Sequence, residues 1–339
     1  PTFMCGGALY AFPKMHVLGH IEHLLDTHQI STLQCTPSAL SMIPVSSATH
    51  LESALISGEV LPPELMRPWA AKVPYFFNKY GPTEAAVDVT TTQCKPDMAF
   101  PFSIGTPLCN VRAFIVDPKD ISTLQPPGVP GELVVAGQQV GRGYMNLPEQ
   151  TAKSFVQSPF DPPESEHGRM YRTGDLCRWL PDGTIGYMGR IDQQVKLRGF
   201  RIELGEIETT AVEADTVREA VAVVREDTPG MQRIVLYVTP SHAEIESVRQ
   251  LCKQKLPHYM VPSAVVTLEE WPRTSSGKID RKALPEPARD MVEYVEPVTQ
   301  LEWSLARLYT RALDLQTLVS ATATFFDLGG DSLSAVRLV

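Results

Sequence analysis

Apolar and polar positions change their spacing several times along the 339 residues. In 14–28, KMHVLGHIEHLLDTH, the residues Val17, Leu18, Ile21, Leu24 and Leu25 recur at helical spacing and predict an amphipathic helix. Pro37 follows closely, and 38–43 reads as a short second helix. A short apolar segment at 51–57 is closed by a turn at Gly58, Pro62 and Pro63. Residues 73–92, VPYFFNKYGPTEAAVDVTTT, read as strand, glycine turn and β-rich sequence. After about residue 100 the runs VRAFIVD (111–117) and GELVVAG (131–137) are strands bounded by Pro and Gly, and Gly183, Gly186 and Gly189 punctuate two more. A compact β subdomain is expected there. A new pattern begins near residue 191. ELGEIETTAVEA (203–214) is helical, AVAVVRE (220–226) and RIVLYVT (233–239) are strands, and SHAEIESVRQLCKQKL (241–256) is a helix ended by Pro257. That alternation predicts a small α+β domain. Pro285 and Pro287 flank a linker that continues through MVEYVEP; LEWSLARLYTRAL then turns helical, and FFDLGGDSLSAVRLV ends the chain.

Length changes this picture little: at roughly 150 residues per domain the chain holds two or three. Charge excludes more. Thirty basic against 39 acidic residues leave a net charge of −9, without the basic footprint that holds a nucleic acid backbone or an anionic membrane. No apolar run approaches the roughly 18 residues of a membrane helix. Pro1 to Tyr10 lacks the basic start and small-residue cleavage site of a signal peptide. With no initiator Met and an apolar opening, the sequence is expected to be cut from a longer chain. The six cysteines (Cys5, Cys35, Cys94, Cys109, Cys177 and Cys252) are scattered without a C-x-x-C, which predicts free thiols in a reducing, cytoplasmic compartment.

Some candidate motifs fail on inspection. GRGYMN (141–146) lacks the third glycine of a dinucleotide loop, no Walker loop occurs, and Ser332 in G-D-S-L-S is not a hydrolase elbow. His16, His20 and His23 could line one helical face toward zinc, but without an H-E-x-x-H glutamate they read better as a solvated face. Four segments carry more. Asn78-Lys79-Tyr80-Gly81-Pro82-Thr83-Glu84 places an aromatic ring, a hydroxyl and a carboxylate around a tight turn. A ring can stack on a purine and a carboxylate can hold Mg²⁺ beside phosphates; alone, the segment is equally a turn with a buried Tyr. Tyr171-Arg172-Thr173-Gly174-Asp175 offers an Asp that could take two ribose hydroxyls, though alone a surface turn ending a strand explains it better. GRIDQQVKLRGFRIE (189–203) is dense in charge for a domain joint. TSSGKID (274–280) puts Lys278 on a small-residue loop, where it is either a mobile point charge for an anion or simply solvated.

Order and spacing together carry more than any one segment. GELVVAGQQVGRGY, YRTGDL, GRIDQQVKLRGFRIELGEIE and TSSGKIDRKAL resemble, in sequence order, the core motifs of nonribosomal peptide synthetase adenylation domains, followed by the start of a peptidyl carrier domain. The resemblance implies an α/β and α+β multidomain chain with the adenylate-forming enzyme fold. Residues 1–191 would be the C-terminal part of the large subdomain, with a β-rich subdomain at about 100–190. The small C-terminal subdomain would span 192–287, a linker 288–297 and a partial helical carrier domain 298–339.

The activity implied is coupling of ATP and an amino acid into an aminoacyl-adenylate, then transfer to a phosphopantetheine thiol. By resemblance, Tyr80 stacks on adenine; Asn78, Gly58 and Glu59 lie at the adenine edge. Thr83 touches phosphate, Glu84 binds Mg²⁺, and Asp175 and Arg190 hold the ribose. Lys278 reaches the carboxylate and the phosphate, where a cation offsets the repulsion between two anions. Asp192 is the hinge, and Lys196 to Gly199 serves thioester formation. Ser332 carries 4′-phosphopantetheine. Gln34, Leu55, Ser57, Lys79, Val87 and Asp88 match the substrate pocket. The charges of Lys79 and Asp88 point to a polar substrate side chain, or else to two side chains that satisfy each other in a smaller pocket. The partners implied are the amino acid, a phosphopantetheinyl transferase and neighbouring condensation domains.

In the family, the phosphate-gripping Gly/Ser/Thr loop and the aspartate that pairs the substrate amino group lie upstream of Pro1, so the fragment alone is expected to be weakly active. An acyl- or aryl-CoA ligase shares the adenylation motifs but needs no Ser332 motif. A degenerate carrier or scaffold piece would not need Tyr80, Glu84, Asp175 and Lys278 together.

Overall fold

A computed structural model describes the chain except residues 1–2, 13, 101, 163–167, 193, 198, 229–230, 275–276, 288–294, 314, 316–317, 324, 326–327, 329–334 and 336–339. The chain divides into two compact units, one formed by Glu22–Phe200 and the other by Pro1–Ile21 with Arg201–Val339.

The first helix, α1 (Lys14–Thr27), breaks at His20, where φ is −134°. Only its second half belongs to Glu22–Phe200. That unit continues through β1 (Thr32–Cys35), α2 (Pro37–Leu40), β2 (Ser53–Ile56), α3 (Pro63–Lys72), β3 (Tyr75–Tyr80), β4 (Thr90–Gln93), β5 (Ser103–Pro107), β6 (Val111–Val116), β7 (Gly131–Gly137), α4 (Pro148–Ser154), β8 (Phe155–Gln157), β9 (Arg169–Trp179), β10 (Ile185–Arg190) and β11 (Gln194–Leu197). Among the described residues, ten strands form one sheet in the order β1-β2-β3-β4-β5-β10-β9-β7-β6, with β8 paired to β9. The three strands β1, β2 and β3 run parallel; every later pairing is antiparallel.

Helix α3 explains its own ends. Pro62 and Pro63 start it, Glu64 sits in the first turn and Lys72 in the last, as the helix dipole favours, and Met66 and Trp69 bury its inner face. Strand β7 is buried almost throughout, because each of its faces feeds a different core. Leu133 and Val135 pack with Ile115, Tyr171 and Ile185, whereas Val134 and Ala136 pack with Val116 and Met170.

The second unit carries β12 (Phe200–Glu203) from Arg201 onward, α5 (Leu204–Val212), β13 (Glu219–Thr228), β14 (Met231–Thr239), α6 (Ile245–Lys255), β15 (Ala264–Thr267) and α7 (Gln300–Ala312). The strands β13, β14 and β15 form a three-stranded sheet, antiparallel and then parallel. Val221, Val235, Tyr237, Trp271 and Leu284 are its core. The helix expected from residue 241 starts at Ile245, because Ala243 N–H is already committed to a turn on Pro240 O at 3.1 Å. Helix α7 opens with a capping box, Thr299 and Glu302 each bonding the other's backbone. Tyr309, Ala312, Leu313, Phe325 and Leu328 cluster beside its end. Among the described residues, no helix is long and apolar enough to cross a membrane.

Candidate active site

Period-two alternation sorts the expected residues of β1–β3 onto two faces. The parallel register sets Gln34 beside Leu55 and Leu55 beside Phe77. Lys79 follows two positions further along β3 on that same side, and Ser57 comes directly after the end of β2. The other face, Ala54, Ile56, Phe76, Asn78 and Tyr80, is buried. Thus Gln34, Leu55 and Lys79 share the less buried face, while the expected nucleotide residues Asn78 and Tyr80 point into the unit.

The segment after β3 folds back sharply. Ala86 and Val87 both take left-handed backbone angles, φ 57° and 78°. For a β-branched residue such as Val87 this is a strained conformation of the kind found at binding sites. Gly81 permits it: a Cβ there would lie 2.2 Å from Val87 O. The reversal returns Asp88 to Lys79, and Oδ2 accepts from Nζ at 2.5 Å, with both side chains about four-fifths buried. The two expected charges therefore satisfy each other. The second carboxylate oxygen of Asp88, Oδ1, is buried and has no hydrogen-bond partner. Val87 itself is exposed.

Across the sheet the Tyr80 hydroxyl donates to Asp175 Oδ2, and Arg190 Nη1 donates to Asp175 Oδ1 at 3.0 Å. Arg190 also forks onto Asp192, Nε to Oδ1 at 2.9 Å and Nη2 to Oδ2 at 2.5 Å, and bonds Thr173 O at 2.6 Å. Burial, together with the Asp175 charge, holds the Tyr80 phenol well above its ordinary pKa, so it stays a donor. Burial opposes the charge on Arg190, but hydrogen bonds to Asp192 and the charge of Asp175 outweigh it and raise the pKa. Lys196 Nζ lies over the Tyr80 ring, 5.3 Å from its centre. Tyr80, Asp175, Arg190, Asp192 and Lys196 are therefore one cluster within Glu22–Phe200.

The YRTGD segment is not a turn that ends a strand. It lies inside the 11-residue β9, where the register with β7 shifts and Gly174 takes φ 69°. A Cβ on Gly174 would stand 2.7 Å from Arg190 Nη2, so this position leaves the guanidinium its place. Sequence reasoning missed what anchors the irregularity. Glu132 on β7, almost wholly buried, accepts from Arg172 Nε at 3.1 and 3.3 Å, from Nη2 at 2.5 Å and from Gly174 N–H at 3.2 Å. A lone carboxylate inside the apolar run GELVVAG was the available signal.

Glu84 lies on a single 3₁₀ turn, Thr83–Ala85, with Thr83 exposed. Tyr144, also missed, donates its hydroxyl to Glu84 Oε1 at 2.7 Å, and Gly141 N–H donates to Glu84 O at 2.8 Å. Asn78 Nδ2 is held by Ser103 O at 3.0 Å. Glu59, beside the exposed Gly58, accepts from Ser38 N and Oγ through Oε2, while its buried Oε1 is unpartnered. Gly199 is exposed and takes φ 79°.

In the second unit Lys278 is exposed on a loop closed by Thr274 N–H to Lys278 O at 2.8 Å and by Gly277 N–H to Thr274 O at 2.9 Å. Arg281 Nη2 ties the following turn to Glu208 at 3.0 Å. Ser332, with Gly329, Gly330, Asp331 and Leu333, lies outside the described residues.

No group of three or more His, Cys, Asp or Glu side chains suited to a metal ion occurs among the described residues. Glu84 offers a single carboxylate, a hard oxygen donor. A donor of that kind would suit Mg²⁺ shared with substrate phosphates rather than a cation in a protein cage.

Comparison with known proteins identifies the family. The AMP-binding enzyme family model matches residues 1–145, and the AMP-binding enzyme C-terminal domain matches 206–278. The chain belongs to the AMP-binding enzyme family, as an adenylation domain of the nonribosomal peptide synthetase type. It is 41% identical over 322 residues to tyrocidine synthase 2 of Brevibacillus parabrevis, which covers 94% of this chain and 9% of that synthase. Its fold matches holo-PA1221, an NRPS protein containing adenylation and PCP domains, with TM-score 0.74 and 25% identity over 97% of this chain and 54% of that one. The Vibrio cholerae adenylation domain AlmE, in complex with glycyl-adenosine-5′-phosphate, matches with TM-score 0.68 and 26% identity over 81% of this chain and 53% of that one. The chain thus spans about half the length of these solved chains and a small part of the synthase.

Proposed function

We propose that this chain is part of an enzyme that activates an amino acid with ATP as an aminoacyl-adenylate and passes it to a phosphopantetheine thiol. The observation that carries the reading is the Tyr80–Asp175–Arg190 cluster with Glu84 on the adjoining turn. A buried aromatic, a carboxylate pinned by a guanidinium and a nearby metal-type carboxylate are the groups a nucleoside phosphate requires. That AlmE was solved with an aminoacyl-adenylate supports the same chemistry here.

In this reading Asp175, fixed by Arg190, accepts from the ribose hydroxyls, and Tyr80 borders the base with Asn78, Gly58 and Glu59. Thr83 donates to phosphate. Glu84 would hold Mg²⁺, which neutralises phosphate charge as the substrate carboxylate approaches. Lys278 adds a mobile positive charge at the two reacting anions. Asp192 is the hinge between residues 1–191 and the small subdomain 192–287, with Lys196 and Gly199 serving the second step. Beyond a linker at 288–297, residues 298–339 begin the carrier domain, and Ser332 takes the prosthetic arm from a phosphopantetheinyl transferase. Condensation domains would receive the product. In the pocket of Gln34, Leu55, Ser57, Lys79, Val87 and Asp88, the unpartnered Asp88 Oδ1 favours a substrate side chain that donates a hydrogen bond.

The test is amino-acid-dependent pyrophosphate exchange in the intact protein, beside Lys278→Ala. Loss of an electrostatic group at the reacting centre is expected to slow turnover by roughly 10²–10³, with the circular dichroism spectrum unchanged. An unchanged rate rejects the role of Lys278. A pantetheinyl mass gain with coenzyme A and transferase, abolished by Ser332→Ala, supports the carrier assignment; no gain in the intact protein moves the reading to an acyl-CoA ligase.

A further inference from the structure

The loop that follows β7 reaches Glu84 twice. Gly141 N–H holds the Glu84 carbonyl, and the Tyr144 hydroxyl holds its carboxylate. Tyr144 is itself fixed on several sides. Its ring packs edge-on against Phe155 with centres 5.3 Å apart, its N–H donates to Thr151 Oγ1 at 2.9 Å, and its hydroxyl stands 3.4 Å from that of Tyr171. Arg169 Nη1 pins the loop through Arg142 O at 2.9 Å.

Glu84 is the partner of this phenol. It sits on one 3₁₀ turn whose N-cap, Pro82, supplies no side-chain cap bond. A Glu side chain carries up to about 2 kcal/mol of rotamer freedom, and a hydrogen-bonded partner removes part of it before a ligand is met in one geometry. A phenol already fixed by packing can hold the carboxylate before the ligand arrives.

We propose that Tyr144 is a positioning residue that orients the Glu84 carboxylate toward a phosphate-bound divalent cation. The proposal rests on the reading of Glu84 as the Mg²⁺ ligand, so its test separates the two.

Tyr144→Phe keeps the ring against Phe155 and removes only the donor; Glu84→Gln removes the charge of the ligand. In the intact protein, Mn²⁺ is titrated in the presence of ATP while the free Mn²⁺ electron paramagnetic resonance signal is followed. The Mg²⁺ dependence of pyrophosphate exchange is measured in parallel. Loss of an outer partner of a metal ligand typically costs 10–100-fold in affinity or activity, and for this single neutral donor the low end, about 10-fold, is expected. The KM for the amino acid should not change. Weakened Mn²⁺ binding in both variants supports the proposal. If Glu84→Gln weakens it and Tyr144→Phe matches wild type, Tyr144 does not position the ligand and the proposal falls while the reading of Glu84 stands. If neither variant weakens it, the reading of Glu84 fails and the proposal with it. If Tyr144→Phe lowers melting temperature and raises the amino acid KM as much as the metal requirement, its role is structural and the proposal is overturned.

Discussion

The contact between Glu132 and Arg172 lends itself to a quantitative test. The Glu132 side chain is 4% exposed and that of Arg172 32%, with three guanidinium–carboxylate approaches of 2.5, 3.1 and 3.3 Å. Breaking a fully buried pair costs about 3–5 kcal/mol, whereas an exposed pair is worth about 0–1 kcal/mol. With one partner buried and the other a third open to water, the coupling should fall between, at about 2 kcal/mol. Glu132→Gln also weakens the acceptor for Gly174 N–H. At about 2–4 °C per kcal/mol for a unit of this size, the single variant should melt roughly 4–8 °C lower. The assay is a double-mutant cycle by urea unfolding on wild type, Glu132→Gln, Arg172→Met and the double variant. The double variant should be little worse than the worse single one, because it leaves no unpaired charge behind, whereas each single variant does. If the two single effects simply add, within about 0.5 kcal/mol, the pair is not an energetic unit and the anchoring argument for β9 is wrong.

Two further outcomes follow from the same geometry. Gly174→Ala forces a Cβ to within 2.7 Å of Arg190 Nη2 at φ 69°, where a non-glycine residue alone costs about 1–2 kcal/mol. Melting should fall by several degrees and the KM for ATP should rise more than that for the amino acid; an unchanged KM for ATP would refute the role given to Arg190. Thiol labelling is the second. Burial and the Glu59 charge push the Cys35 pKa up to about 12, burial pushes Cys94 up to about 11, and burial raises Cys177 and Cys252 as well, whereas Cys109 is exposed. A raised thiol pKa means less thiolate at a given pH, so at pH 8 Cys94 is only roughly a thousandth reactive. Iodoacetamide should modify Cys109 well before the other four, as read by peptide mass mapping; equal rates would show that these thiols are not shielded.

Much of the local architecture was legible in the chain itself. The Pro- and Gly-bounded apolar runs at 111–117 and 131–137 became β6 and β7, the helical spacing at 14–28 became α1, and the run 241–256 became α6 with only its first turn displaced. These are short-range consequences of side-chain alternation and of proline and glycine placement. The nucleotide-type cluster was legible as a set of motifs, because each occupies a few consecutive residues. What the chain alone did not reveal was which motifs touch. Tyr80 and Asp175 are 95 positions apart, Tyr144 and Glu84 60, and Arg172 and Glu132 40. Those contacts depend on strand order, and β5-β10-β9-β7 is not the order of the sequence. Composition and periodicity determined the elements and the candidate chemistry. Only the tertiary sheet decided that Lys79 neutralises Asp88, that YRTGD runs through a strand instead of ending one, that the buried Glu132 holds Arg172 and the Gly174 N–H, and that the packed Tyr144 holds Glu84. Sequence neighbours set backbone torsions, but the low-dielectric pairing of charges needs partners that only the folded sheet brings together.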